Sequence, residues 1–411
     1  MFYKSLLAVS VVTVMANTSF ASGSIRVSDE QSLRSAFERA SFDSSIDTVV
    51  FDRNTRIALS EPAVYSGSQA LSIFGNGAVI DGSSAGEFVL DGDLTAITED
   101  GSLVFNTSAA LTIRNLSVIN SATRGIVVNI PADATGADVA VTLDGVKIRN
   151  SALFGLHIDD NADEFDDGLS GSSVGIHLQV LNAIFTENGT GAIDFDGVRV
   201  DERGEGDIEA FFYNTSINAN GGDGMELDEA GDGDVIASLL NVKLNNNGYY
   251  NAEDLDDGFD VDEAGEGDVR LILNNVEING NLDEGLDVDE AGEGSVELRL
   301  RKVTAVDNAD EGVKVDEEDE GDIEANLKQL TVRRSGDDGI QFTETGEGKI
   351  NAKLNKVVVR DSGKFGIKFE QWVEEDEAVS IEPEGRARLK KVRLTGNLSG
   401  DEVQVNNVKL K

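Results

Sequence analysis

The 411-residue chain has no cysteine, three prolines, two histidines and one tryptophan, and its 34 lysines and arginines face 77 aspartates and glutamates. Each shortage excludes something. Without cysteine there is no disulfide framework and no thiolate centre, so stability must come from packing, backbone hydrogen bonds or ions. His157 and His177 alone cannot build a zinc or copper site. A formal net charge of −43 repels phosphate, which excludes nucleic acid and anionic lipid surfaces as partners. It also excludes a bare polyanionic polysaccharide unless cations mediate. Beyond the N-terminus no run is apolar over the roughly 20 residues that a membrane span needs.

What is present begins with MFYKSLLAVSVVTVMANTSFA. Lys4 precedes an apolar stretch over residues 6–15, and Ser19 and Ala21 flank Phe20 as a signal peptidase requires. This predicts a secretory signal peptide over 1–21 and export to the periplasm, cell surface or medium. Residues 22–60 then read as a cap helix with first strands, and 61–411 as a repeat array. In the segment 28–41 Ser28 and Gln31 fit a capping box, and Leu33, Ala36, Phe37 and Ala40 form one apolar helical stripe.

The dominant feature is an acidic phrase. GLDVDEAGEGS at 285–295 returns as GFDVDEAGEGD at 258–268 and GMELDEAGDGD at 224–234, with weaker echoes at 197–207, 312–322 and 339–349. Units start at Ile208, Val235, Val269, Val296, Ile323 and Ile350; four intervals are 27 residues and one, from Val235, is 34. Within 269–295, Val269, Leu271 and Leu273 alternate with polar neighbours, Val276 and Ile278 follow a break, and Leu286 and Val288 follow Gly285. Period-two alternation bounded by Gly, Asn and Asp reads as three short strands. Such strands bury their apolar sides only by stacking coil on coil. Asn115, Asn182, Asn214, Asn241 and Asn275 share one unit position, replaced later by Lys302, Gln329, Lys356 and Lys391. Asn tolerates the left-handed backbone of a sharp corner.

Three-strand coils, the Asn corner and the recurring step of Gly, apolar, any, apolar resemble the parallel β-helix proteins of the pectin-lyase-like superfamily. The resemblance implies an all-β, right-handed parallel β-helix with an N-terminal capping helix. It leaves function open, since that fold hosts lyases, hydrolases, epimerases and non-catalytic surface proteins.

The third strand predicts outward acids. Asp228, Asp262, Asp289 and Asp316 form one column, Glu229, Glu263, Glu290 and Glu317 a second, and Asp234, Asp268 and Asp322 sit in the turn. Coils about 4.8 Å apart set these carboxylates against one another. Calcium, about 2.4 Å from each oxygen, fits between coils, so these residues are the expected Ca2+ ligands. A solvated, salt-screened acidic face is the alternative. No N-T-D, G-H-G or R-I-K motif of the polygalacturonase type occurs. Arg199, Lys314 and Lys368 replace an acid on the third strand. Lys314, beside Asp287, Asp289 and Asp316, is a weak lyase-like catalytic candidate against a simple salt-bridged lysine. Insertions at 160–173, 247–258 and 370–385 carry Tyr249, Tyr250 and Trp372, which either stack on sugar or pin their loops. The expected function is a calcium-binding, non-catalytic protein that engages a polysaccharide or cell-surface polymer. The alternative is a polysaccharide lyase, hydrolase or epimerase. Arg386, Arg388, Lys390, Lys391 and Arg393 make the last coil basic, which allows self-association with the acidic body.

Overall fold

A computed structural model describes residues 23–411 except 91, 93, 97, 99, 161–170, 253–254 and 373–384. The expected signal peptide and most of the insertions at 160–173 and 370–385 lie outside the described residues. The rest is a right-handed parallel β-helix.

Its strands fall into a 22-stranded and a 12-stranded sheet. In the 12-stranded sheet each strand pairs only with that of the coil before and the coil after, from Ala63–Tyr65 to Gln404–Asn406. Every ladder between named strands is parallel. Val198–Glu202, Met225–Glu229 and Phe259–Glu263 are in full register, residue on residue. The sequence pattern explains the core: Val269, Leu271, Leu273, Val276, Ile278, Leu286 and Val288 are all buried, and their counterparts stack above and below. Each such side chain contributes about 1.5–3 kcal/mol on burial.

The corners also follow the sequence. Asn115, Asn182, Asn214, Asn241 and Asn275 have φ between 50 and 59°, and Lys302, Gln329, Lys356 and Lys391 between 55 and 60°. Asn214 and Asn275 donate side-chain bonds of 2.9 Å to Asn182 and Asn241 of the preceding coil. A second Asn ladder, which the sequence reading passed over, is interior. Asn188, Asn220, Asn247, Asn281 and Asn308 are bonded coil to coil at 3.0–3.1 Å and buried.

The helix Glu30–Phe42 closes the N-terminal end, packed on Ser24–Val27 and Ala63–Tyr65. Its stripe of Leu33, Ala36, Phe37 and Ala40 is buried as expected. The capping box is shifted by one residue from the expected Ser28 and Gln31: Asp29 is the N-cap, and Asp29 and Ser32 bond each other's backbone. Asp29 prevails because its carboxylate is the stronger acceptor beside the positive end of the helix dipole. Among the described residues no helix is long and apolar enough to cross a membrane.

Candidate functional site

The repeated acids separate into structural groups and one group left over. The Glu column departs from the expectation that it faces outward. Glu290 follows Asp289, so it lies on the same side of the strand as Val288, and Glu229, Glu263, Glu290 and Glu317 are all buried. In each, one oxygen accepts the N–H of the glycine four residues on, at 3.2, 3.1, 3.1 and 2.7 Å for Gly233, Gly267, Gly294 and Gly321. The other oxygen, Oε2, has no hydrogen-bond partner beyond the neighbouring Glu carboxyls. Burial pushes Glu229 up to about 10 and Glu290 up to about 9, and the adjacent glutamates add to it. The turn they cap needs glycine, since a Cβ on Gly292 would sit 1.7 Å from the Gly265 carbonyl oxygen.

The turn aspartates form another ladder. Asp234 accepts the N–H of Asp268 at 2.9 Å, Asp268 that of Ser295 at 3.0 Å, and Arg270 joins Asp234 and Asp268. Asp322 hydrogen-bonds Ser295 and pairs with Lys349. These residues of the expected calcium set lie around the turn from the remaining ones, Asp228, Asp262, Asp289 and Asp316, which stack in register on the outward face of the 12-stranded sheet.

On that face a further row precedes them: Arg199, Glu226 and Asp260 in register, followed by Asp287 and Lys314 in the next two coils. Above this row runs a column that sequence reasoning missed, the acid just before each phrase: Asp196, Asp223, Asp257, Glu284, Glu311 and Asp338, all buried. The signal was present, because this position is acidic in all six units. The phrase was read from its glycine onward and the acid before it was cut away.

Two cations punctuate the row. Arg199 bonds Asp201 through Nε at 2.8 Å, Asp228 through Nη2 at 3.0 Å, and Glu226 through Nη1. Arg203 adds a bond to Asp228 at 2.9 Å. His157 sits beside this network. Its Nε2 donates to Asp201 at 2.7 Å and its Nδ1 accepts from Arg124 at 2.8 Å, since a guanidinium only donates. Burial alone would raise Asp201, but Arg199, His157 and Arg203 hold it well below the usual carboxylate range. His177 is remote and half-exposed, paired with Glu209 at 3.1 Å.

Lys314 is surrounded as expected, with Asp287 at 2.7 Å, Asp316 at 3.7 Å and Asp289 at 3.8 Å, and with Glu284 at 3.5 Å. Burial works against its charge, yet these carboxylates hold its pKa well above that of a free lysine. It therefore stays protonated and has no lone pair to act as a base.

Between Arg199 and Lys314 the face opens into a pocket of 360 Å³ lined by Asp194, Arg199, Asp223, Glu226, Asp228, Leu255, Asp256, Asp257, Asp260 and Asp262. Leu255 and Asp256 belong to the insertion in the one 34-residue unit, so the irregularity of the repeat builds a wall of the pocket. Burial, with surrounding acids, pushes Asp223 up to about 8 and Asp262 up to about 6, and puts Asp257 and Asp260 well above their ordinary value. Tyr249 and Tyr250 bond the carbonyls of Ala219 and Gly191, so they pin the insertion to the body. Trp372 differs: it ends the strand Lys368–Trp372 on the outward side and is 46% exposed.

No family model matches the chain, and no curated protein does. Among solved structures it is similar to the mannuronan C-5 epimerase A-module of Azotobacter vinelandii, with 13% identity, 95% of this chain and 97% of that one covered, and a TM-score of 0.46. A periplasmic alginate epimerase gives 11% identity over 94% and 83% at a TM-score of 0.39. An alginate lyase from Paenibacillus gives 12% over 95% and 100% at 0.36. At such identities no residue role is carried across.

Proposed function

We propose that the chain is an exported polysaccharide-binding protein whose binding face is the outward side of the 12-stranded sheet. The observation that carries this is the continuity of that face. Two rows of polar side chains run coil after coil from His157 and Asp159 to Gln404 and Asn406, with the pocket in their path and exposed Trp372 farther along. A long polymer matches an extended strip. Sugar hydroxyls bond to carboxylates, amides and guanidinium, and an exposed indole offers a stacking surface. Carboxylates surround the Lys314 ammonium, and both ring nitrogens of His157 are engaged by Arg124 and Asp201, which favours binding over lyase chemistry.

The lone tryptophan makes the test direct. Intrinsic fluorescence of the full chain is titrated with a panel of soluble plant and algal polysaccharides, with and without calcium. Saturable quenching by one class, weakened in gel-retardation assays of Trp372→Ala, is expected. No response and no retardation across the panel refutes the reading.

One observation favours a second reading, a polysaccharide-modifying enzyme. Glu226 and Asp201 both bond Arg199 but differ in ionisation: burial puts Glu226 well above the usual range, and Asp201 lies well below it. Carboxyls driven apart in this way are the raw material of acid–base catalysis. Release of shorter or altered chains from the bound polysaccharide, abolished in Glu226→Gln, would establish it.

A further inference from the structure

In a chain with more than twice as many acids as cations, a cation without a carboxylate partner is the exception. Arg199, Arg270, Lys314, Arg334 and Lys364 all carry ion pairs. A group on the 22-stranded sheet does not. Arg301, Lys328 and Lys390 stand in one column of the register, and Lys353 and Arg388 in the column beside it. All five are exposed, and among the described residues none has a carboxylate within ion-pair distance. Leu298 and Leu300 point into the core, so the pleat turns Arg301 outward. The basic last coil expected from the sequence thus extends back over the three coils before it. We propose that this basic face of the C-terminal coils docks a second copy of the chain, which presents the exposed acids of its Gly-rich turns coil against coil.

Charge complementarity and spacing select that partner. Each acidic phrase ends in a turn with a carboxylate at its tip, and Asp232, Glu266, Glu293, Glu320 and Glu347 are all exposed there. These tips form a rib. The N–H groups of Glu266, Glu293 and Glu320 bond the carbonyls of Gly231, Gly265 and Gly292 in the coil before, at 3.1–3.3 Å. Among the described residues these three carboxylates have no ion pair within the chain. The rib therefore repeats at the coil spacing of about 4.8 Å, and so do the cation columns. A projecting rib meets a flat sheet, and one carboxylate per coil meets one or two cations per coil.

Other partners fit less well. The strands Val296–Val306, Asp322–Lys328, Lys349–Asn355 and Gly385–Lys390 hold no aromatic residue. No ring is offered to a sugar or a nucleobase, and pairing with an array of carboxylates is what remains. Residues 350–411 carry 12 basic and 10 acidic side chains, so docking by this end weakens the repulsion between two acidic bodies. Face and rib are different surfaces. The contact is heterologous, and each docked copy offers its own rib or face to the next. None of these residues lines the pocket, so docking and polymer binding can be tested apart.

Two variants of the full chain separate the two surfaces. One loses the face, through Lys328→Gln, Lys353→Gln and Arg388→Gln together. The other loses the rib, through Glu266→Gln, Glu293→Gln and Glu320→Gln. All six positions are exposed, so circular dichroism should match the wild type. In sedimentation velocity at low ionic strength the wild type should grow past the dimer as concentration rises, and each variant alone should stay monomeric. An equimolar mixture of the two should form a dimer and stop there, because one copy brings only a rib and the other only a face. Lys243→Gln, at an exposed pair with Glu277 on the same sheet, should assemble as the wild type. Wild-type assembly in either triple variant alone, or a mixture that stays monomeric, overturns the proposal. So does a monomeric wild type; its retention on immobilised polyaspartate would then assign the face to an outside polyanion.

Discussion

Replacing Glu290 by glutamine tests what the interior glutamate column does. Glu290 accepts from Gly294 at 3.1 Å, and its Oε2 meets only the carboxyls of Glu263 and Glu317. Its pKa rises from 4.5 to about 9, through burial first and the adjacent glutamates second. A carboxyl raised in the folded state stabilises the fold while protonated. That contribution is complete below the unfolded value of 4.5 and drains as pH rises towards about 9. The slope for one group is about 1.4 kcal/mol per pH unit. Between pH 5 and pH 8 the wild type therefore loses at most about 4 kcal/mol from this position, and less where the ladder shares its protons. Glutamine keeps the acceptor for Gly294, supplies an N–H to a neighbouring carboxyl and removes the titration. Urea denaturation at fixed ionic strength with chelator, from pH 5 to pH 9, should show the wild type weakening with pH and Glu290→Gln weakening less. The pocket acids titrate in both proteins and cancel in the difference. Parallel stability–pH curves, or a steeper fall in the variant, would refute a protonated ladder.

Other perturbations have equally definite outcomes. Lys314→Met leaves Asp287 and Glu284 buried without their cation and should cost about 3 kcal/mol of stability, read as a lowered urea midpoint; any polysaccharide-modifying activity should persist if the pocket, and not this lysine, is the site. Asn247→Ala breaks the buried ladder between Asn220 and Asn281 and should cost about 1–3 kcal/mol, whereas Asn275→Ala at the exposed corner should cost less. The charge gradient predicts salt-sensitive self-association, since residues 221–349 carry 37 acidic and 10 basic side chains and 350–411 carry 10 and 12. Light scattering should show assembly at low salt that fades over roughly tens to hundreds of millimolar and weakens when Arg388, Lys390 and Lys391 become Gln; a monomer at every salt concentration removes the idea.

The 27-residue repeat, the apolar column and the corner backbone were legible because each obeys a local rule repeated many times. Even Lys302 and Lys356 keep the left-handed corner that Asn275 has, so position and not residue type carries that signal. The site was less legible for three physical reasons. Alternation along Val288, Asp289 and Glu290 already puts the glutamate inward, but its charge suggested solvent. His157 and Asp201 are 44 residues apart and meet only because adjacent coils align across the insertion at 160–173. The acid before the glycine belongs to the turn in sequence, but as Asp223 and Asp257 it belongs to the pocket in space.

The parallel register gives the outward face of the 12-stranded sheet a discrete ruler. From Asp260 to Trp372 the path crosses four coil steps, about 19 Å at the spacing of paired strands. Each coil bonds only to its two neighbours, and Val296 takes the place of Val269 while Ile323 takes that of Val296. Duplicating or losing one 27-residue unit would therefore move the tryptophan relative to the pocket by one step while leaving both intact. A change in unit number can therefore reset the distance between these two features by whole coils, without redesigning either end.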